Sequence, residues 1–268
     1  MKERTNEILK IDQTHAGILR LVLDDPKNKN ALSDNMMTQL KKQLFNASSD
    51  DSVKVIIIAA FGDVFCSGHN LKDITNARSN EDDGKAYFLD LFNLCSSLMQ
   101  MIIACSKPVI AEIDGIATAA GCQLVASCDL AIASDSSKFA TPGVNIGLFC
   151  STPMVALSRN VSKKEAMKML LTGDMIDAAE AKRISLINDH LSSGKLHDAV
   201  MSIAKKISIK SLATVKVGKE AFYHQYEMNL SDAYDYTSKV MTKNSLTDDA
   251  KEGIASFLEK RDPVWKDD

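Results

Sequence analysis

The run Ile113-Asp114-Gly115-Ile116-Ala117-Thr118-Ala119-Ala120-Gly121-Cys122-Gln123 is small-sided and nearly uncharged. No side chain from Ala117 to Ala120 is larger than that of threonine. The run leaves a β-branched stretch and enters a helical pattern. Such a turn lets a ligand approach the main chain, and free N–H groups at a helix start favour negative charge. A second turn, Gly62-Asp63-Val64-Phe65-Cys66-Ser67-Gly68-His69-Asn70-Leu71-Lys72, leaves the run Val53 to Ala60. Ligands of open α/β folds favour that end of the strands, although one glycine loop after a strand is ordinarily just a turn. Two such loops can aim backbone N–H groups at a single carbonyl oxygen. That arrangement stabilises an enolate or a tetrahedral intermediate, and loss of one donor costs about 3–4 kcal/mol in the transition state. Gln123 stands where a carboxylate would supply an acid or a base.

These turns need a core to position them. Ile8 to Ile11 and Gly17 to Leu23 pattern as strands, joined at His15-Ala16-Gly17 into a hairpin. Ser33 is the N-cap of a helix that carries Met36, Met37, Leu40 and Leu44 at helical spacing. Val53 to Ala60 and Val109 to Ile113 are short apolar runs, the pattern of strands buried on both faces. Between them Lys85 to Cys105 is a long helix. Phe88, Phe92, Cys95, Met99 and Ile102 form its apolar stripe, and Pro108 lies beyond its end. Another helix follows the small-sided turn through Ser127. Leu130 to Ala133 and Phe139 to Ala140 are short strands, and the alternation predicts an α/β core. From Ser162 the chain turns helical. Ser162 and Glu165 form a capping box, Gly173 stops that helix, and Asp177 opens the next. Helices are predicted over 198–209, 212–228, 231–243 and 248–260. The shift in composition near residue 160 suggests a core and a helical C-terminal subdomain, and the domain boundary is placed between a core over 1–200 and a helical subdomain over 201–268. There is no clean sequence repeat.

Composition removes several classes of function. The 268 residues are 45% hydrophobic with a net charge of −3. No basic run or interleaved aromatic platform provides a nucleic-acid surface. Cys66, Cys95, Cys105, Cys122, Cys128 and Cys150 include no CxxC pair. They support neither a zinc site nor a disulfide framework and read as reduced intracellular thiols. Cys122 and Cys150 are the two that a pocket at these turns could include, although a lone buried cysteine is ordinarily packing. No signal-peptide run follows Met1, and no stretch approaches the length of a membrane span. Asp73 and Asp129 read as caps or loop hydrogen bonders. The absence of a GxSxG elbow disfavours an ordinary serine hydrolase.

FCSGHNLKD resembles the first oxyanion loop of the crotonase (enoyl-CoA hydratase/isomerase) superfamily, and IDGIATAAGCQLVASCDLAIAS resembles its second loop and following helix. PKNKNAL, KPVIAEIDG, FATPGVNIGLF, LTGDMIDAAEAKRISLI and FLEKRDPVW match further family blocks in order. The resemblance implies an α/β fold, a ββα superhelix with a C-terminal helical trimerisation region, assembled as a homotrimer or hexamer. It implies an acyl-CoA thioester as ligand, with coenzyme A as part of the substrate and no bound cofactor or metal. By position the oxyanion donors are the N–H groups of His69 and Ala120, where relatives usually carry glycine at the second place. Lys29, Ser67, Asn70, Leu71 and Lys72 fall in segments that contact coenzyme A in relatives. Phe257 and Lys260 fall where the C-terminal helix meets the adenine end. The expected compartment is the cytoplasm for a bacterial chain and the mitochondrion for a eukaryotic one.

The departures from that pattern matter as much. The two glutamates of hydratases fall at Gln123 and Gly143. Glutamine can orient a water but cannot take a proton at neutral pH, and Gly143 has no side chain. The aspartate of some isomerases and dehalogenases falls at Ser151, a hydroxyl that needs an adjacent base to become a nucleophile. Three functions remain open: a hydratase or isomerase acting through an enolate, a decarboxylase or thioesterase, and a non-catalytic acyl-CoA binder.

Overall fold

The structure, a computed structural model, describes residues 8–267. The predicted N-terminal hairpin forms from β1 (Leu9–His15) and β2 (Gly17–Leu23), paired antiparallel. Ser33 caps α1 (Asp34–Ser49), its hydroxyl accepting from the Met36 amide at 3.3 Å. Met36, Met37, Leu40 and Leu44 are fully buried, as their spacing predicts.

The chain then winds through three ββα-like turns. The first contains β3 (Val53–Ala60), β4 (Val64–Cys66), α2 (Leu71–Ala77) and α3 (Lys85–Ala104). The second contains β5 (Val109–Ile113), β6 (Ile116–Thr118) and α4 (Ala120–Ser127). The third contains β7 (Leu130–Ser134), β8 (Lys138–Ala140), a 3-10 turn over Pro142–Ile146 and α5 (Pro153–Asn160). Next come α6 (Lys163–Thr172), β9 (Ile176–Asp177), α7 (Ala178–Arg183) and β10 (Asp189–Leu191). The helices α8 (Ser193–Ser208), α9 (Leu212–Tyr226), α10 (Leu230–Ser245) and α11 (Asp248–Glu259) complete it.

Each turn sends its first strand to one sheet and its second to another. The larger sheet has the order β1-β2-β3-β5-β7-β10 and the smaller β4-β6-β8-β9. Within them β3, β5 and β7 run parallel, as do β4, β6 and β8. The parallel strands are buried on both faces, which is why β5 reads as an uninterrupted buried run. The main core includes α1, α3, α4 and the inner faces of both sheets. A smaller core forms where Leu196, Val200, Met201 and Ala204 of α8 cover Ile18, Val55, Ile57, Ile110 and Ile132.

Several expectations change. The buried stripe of α3 is Leu91, Cys95, Leu98, Met99 and Ile102, so Phe88 and Phe92 leave it. By length and composition α3 is apolar enough to cross a membrane, contrary to the reading that no stretch approaches a span, yet its stripe packs into the main core. The boundary placed between residues 200 and 201 falls inside α8, whose apolar face belongs to the smaller core.

A largely buried polar knot helps tie the helical tail to the sheets. Lys219 of α9 donates to Asp129 Oδ2 at 2.6 Å and to the carbonyls of Ile102 and Lys107, each at 3.0 Å. Tyr223, one helical turn later, donates to Asp129 Oδ1 at 2.8 Å. Asp129 also accepts from the Val109 amide at 2.7 Å. Asp129 is therefore a hydrogen bonder, as the sequence suggests. Burial first, and the Asp129 charge second, push the Tyr223 hydroxyl well above its usual pKa. Breaking a buried pair by removing one partner leaves the other charge uncompensated. Lys219→Met should lower the unfolding free energy by about 3 kcal/mol, read by denaturant melts, and adding Asp129→Asn should recover part of the loss. A Lys219→Met loss below about 1 kcal/mol would contradict this role.

Candidate active site

The two glycine-bearing turns meet. Gly68 has φ +91°, and a Cβ there would lie 2.9 Å from the Ala119 Cβ, 3.1 Å from the Thr118 carbonyl and 3.2 Å from the Ala120 amide nitrogen. Gly121, one residue into α4, packs so closely on the Cys66 carbonyl that a Cβ would overlap it. Only glycine fits at either place. The Thr118 hydroxyl donates across the junction to the Ser67 carbonyl at 3.1 Å. From the other side, the Ser67 amide donates to the Lys29 carbonyl at 3.2 Å and Leu32 donates to the Gly68 carbonyl at 2.8 Å. Buried Asn30 pins the same loop, its carboxamide donating to the carbonyls of Phe61 at 2.9 Å and Val64 at 2.7 Å.

Among the described residues neither the His69 nor the Ala120 amide has a hydrogen-bond acceptor. Both residues line a cavity of about 640 Å³. Ala120 opens α4, so its N–H belongs to the unpaired first turn, at the positive end of the helix. Two unpaired donors on locked turns can hold a developing oxyanion with little reorganisation. The rest of the wall is mainly apolar and includes Leu71, Ile74, Phe92 and most of the segment 142–153.

The cavity brings together Ser67, His69, Leu71, Ala120, Gly143 and Ser151 of the residues singled out by sequence. The rest stand elsewhere. Gln123 is buried but does not line the cavity, and its Oε1 faces the Cys95 thiol at 3.8 Å. Asn70 caps α2, accepting from the Lys72 amide at 3.0 Å. Lys29 and Lys72 are exposed beside the first loop. Phe257, 82% exposed, and Lys260 sit at the end of α11, outside the cavity of this chain. Ser151 is exposed and donates to the Phe149 carbonyl at 3.3 Å. Cys150 joins the wall and Cys122 does not. Burial raises both thiols, Cys122 to about 12, so both stay protonated at neutral pH.

Gly143 is sterically committed. A Cβ there would lie 2.8 Å from the Leu148 carbonyl and 3.0 Å from Cys150 Sγ. The position expected to hold a glutamate in hydratases therefore has no room for one without a backbone shift. Sequence reasoning missed Thr118 and Asn30, since a small polar residue at the end of a short strand or in a loop gives no sign of its partner. It assigned Phe92 to the core, whereas this ring lies on the cavity wall and meets the His69 imidazole edge-on at 5.7 Å.

Two substitutions probe this geometry. Ala119 holds φ 51° and ψ −119°, a conformation strained for any residue but glycine. Ala119→Gly relieves that strain while adding freedom to the unfolded chain, so the net effect should be a gain of about 1 kcal/mol. An unchanged or lower melting midpoint would refute the strain. Gly143→Glu should cost about 2 kcal/mol by overpacking and should confer no hydration of crotonyl-CoA, followed by loss of the conjugated-thioester absorbance.

Residues 13–268 match the family model described as enoyl-CoA hydratase/isomerase. The chain is 48% identical over 257 residues to enoyl-CoA hydratase domain-containing protein 3, mitochondrial, of Xenopus laevis, covering 96% of this chain and 86% of that protein. It superposes on the crystal structure of human enoyl-CoA hydratase domain-containing protein 3 with a TM-score of 0.91 at 46% identity, covering 96% of this chain and 100% of the other. An enoyl-CoA hydratase of Mycobacterium smegmatis gives a TM-score of 0.92 at 42% identity, covering 96% and 98%. The two sheets and the ββα winding are thus the crotonase fold, and the chain belongs to the enoyl-CoA hydratase/isomerase family.

Proposed function

We propose that this protein binds acyl-CoA thioesters and stabilises the enolate of the bound thioester with the amides of His69 and Ala120. The observation that carries this reading is the pair of unpaired N–H groups on two turns locked against each other at an apolar cavity. An apolar wall suits an acyl chain, and oriented donors suit the charge that appears on the thioester oxygen. Hydration is disfavoured. It needs carboxylates to hold and activate water, and none of the described lining residues carries one.

The coenzyme A moiety would leave the cavity along the loop that carries Lys29, Asn70 and Lys72, where lysine suits phosphate. Phe257 and Lys260 would complete the adenine end from the α11 of an adjacent copy in a trimer or hexamer. The exposed apolar residues of the helical tail, Phe222, Tyr226, Leu230, Met241, Ile254 and Leu258, support that assembly. A eukaryotic chain of this kind would act in mitochondria, as the names of its vertebrate relatives have it, and a bacterial one in the cytoplasm.

The absence of a carboxylate from the wall also favours a second reading within the same chemistry. Decarboxylation of a malonyl-type thioester reaches the enolate by losing carbon dioxide, with no C–H proton to remove. Calorimetry with acyl-CoAs and with the matching thioethers, which lack the carbonyl, tests the shared core of both readings. Two hydrogen bonds to the carbonyl should make the thioester bind about 10- to 100-fold more tightly. Equal affinities would remove the oxyanion role, and no binding of either would remove the acyl-CoA reading.

A further inference from the structure

The apolar lining of the cavity continues into solvent. Ile146, Leu148 and Phe149, on the turn that follows β8, line the cavity and are 58%, 44% and 41% exposed. Phe92 of α3 lines the same cavity and is also exposed. Large apolar side chains scattered singly over a surface need no explanation, but a group of them around one concavity marks a place that an apolar ligand or partner covers. Gly147 sits among them with φ +75°. Apart from its own chain neighbours, a Cβ there would meet nothing within 4 Å, so no other described element closes over the turn at that point.

The turn that presents these side chains is held by its own hydrogen bonds. The Leu148 amide donates to the Gly143 carbonyl at 2.9 Å, and the Ser151 amide donates to the Phe149 carbonyl at 2.7 Å. The first bond folds Leu148 back onto Gly143, where the Leu148 carbonyl would stand 2.8 Å from a Cβ. That part of the wall is filled, whereas the space beside Gly147 is open.

Charge and position bear on the occupant. None of the described lining residues is Asp, Glu, Lys or Arg, so a charged chain end would find no ionic partner there. The lysines suited to the phosphates of coenzyme A, Lys29 and Lys72, stand beside the first loop, on different elements from the turn after β8. A cavity of about 640 Å³ is of the size that takes a drug-sized ligand, more than a short acyl group needs. We propose that the site takes a long, uncharged acyl chain, whose far methylenes run out of the cavity over a rim made by Phe92, Ile146, Leu148 and Phe149. The inference rests on the acyl-CoA reading given above and names the acyl class for it.

The test is calorimetry of the full chain with saturated acyl-CoAs from butanoyl to dodecanoyl, each below its micellar concentration. A fully buried methylene is worth about 4-fold in affinity, and one lying on a half-exposed rim about 2-fold. Dodecanoyl-CoA should therefore bind at least about 100-fold more tightly than butanoyl-CoA. Ile146→Ser combined with Phe149→Ser removes exposed apolar surface and should cut that ratio about 10-fold. Leu171→Ser, at an exposed leucine of α6 away from the cavity, should leave the ratio as it is. An affinity that is flat with chain length, or that falls beyond hexanoyl, overturns the proposal. So does a ratio that the double variant does not move, or that Leu171→Ser lowers equally. A double variant that lowers the mass seen by light scattering and keeps the ratio assigns the rim to a second copy of the chain, which also overturns it. Each of these outcomes leaves the acyl-CoA reading intact, and failure to bind any thioester overturns both.

Discussion

Everything at this site depends on how closely two stretches of backbone approach each other. The first loop, at Gly68, presses on Ala119 and Ala120, and the start of α4, at Gly121, presses on the Cys66 carbonyl. At these separations a side chain on either glycine would force the turns apart. The contact fixes the position of two amides relative to each other, which side chains with rotamer freedom cannot do as cheaply. Hydrogen bonds lock it from two sides: Thr118 across the junction, and the Lys29–Leu32 segment, Asn30 included, from outside. Because the donors are main-chain groups, the residues carrying them are free to vary. That is why histidine and alanine can occupy these places, the histidine ring being held by the Leu32 carbonyl.

The chemistry is narrowed by what the wall lacks. Hydration requires a water held between carboxylates, and this cavity offers a glycine at one of the expected positions and a glutamine outside the lining at the other. The loss at residue 143 is structural rather than a single missing side chain, since the Leu148 carbonyl and the Cys150 sulfur have closed over the space. The proposed enolate stabilisation would survive such changes, because its donors would be the two amides.

The elements that position the site were legible where local chemistry decides them. Ser33, Ser162 and Asp177 cap the helices they were expected to cap, each accepting from an amide of the first turn. The apolar runs of β3 and β5 read directly as buried strands. Of the smaller sheet only β8 read, as the short strand Phe139 to Ala140. Strands β4 and β6 did not, being three residues each, too short for periodicity, and lying inside the glycine loops that look like mere turns. The ββα repeat was hidden for the same reason: it is a repeat of topology, carried by unlike residues. Of the site, the two donor loops were visible as composition. The Thr118 clamp and the closed space at Gly143 were not, because each is a relation between groups that only the fold brings together.

The donor helix shows how the tail of the chain bears on the chemistry. All eight residues of α4 are buried, so the helix cannot shift without repacking the core. Its first turn is wedged against Cys66 through Gly121, and two residues beyond its last turn stands Asp129, held by Lys219 and Tyr223 of α9. The helix that presents the Ala120 amide is thus fixed at both ends, once by the first loop and once by the helical tail. Oxyanion stabilisation is effective to the extent that its donors are already in place before charge develops. On the proposed reading, a tail that looks like an appendage in the sequence would therefore belong to the preorganisation of the site. Loosening the Asp129 knot would act on the amide through α4, from the far end of a rigid element, without touching any group on the cavity wall.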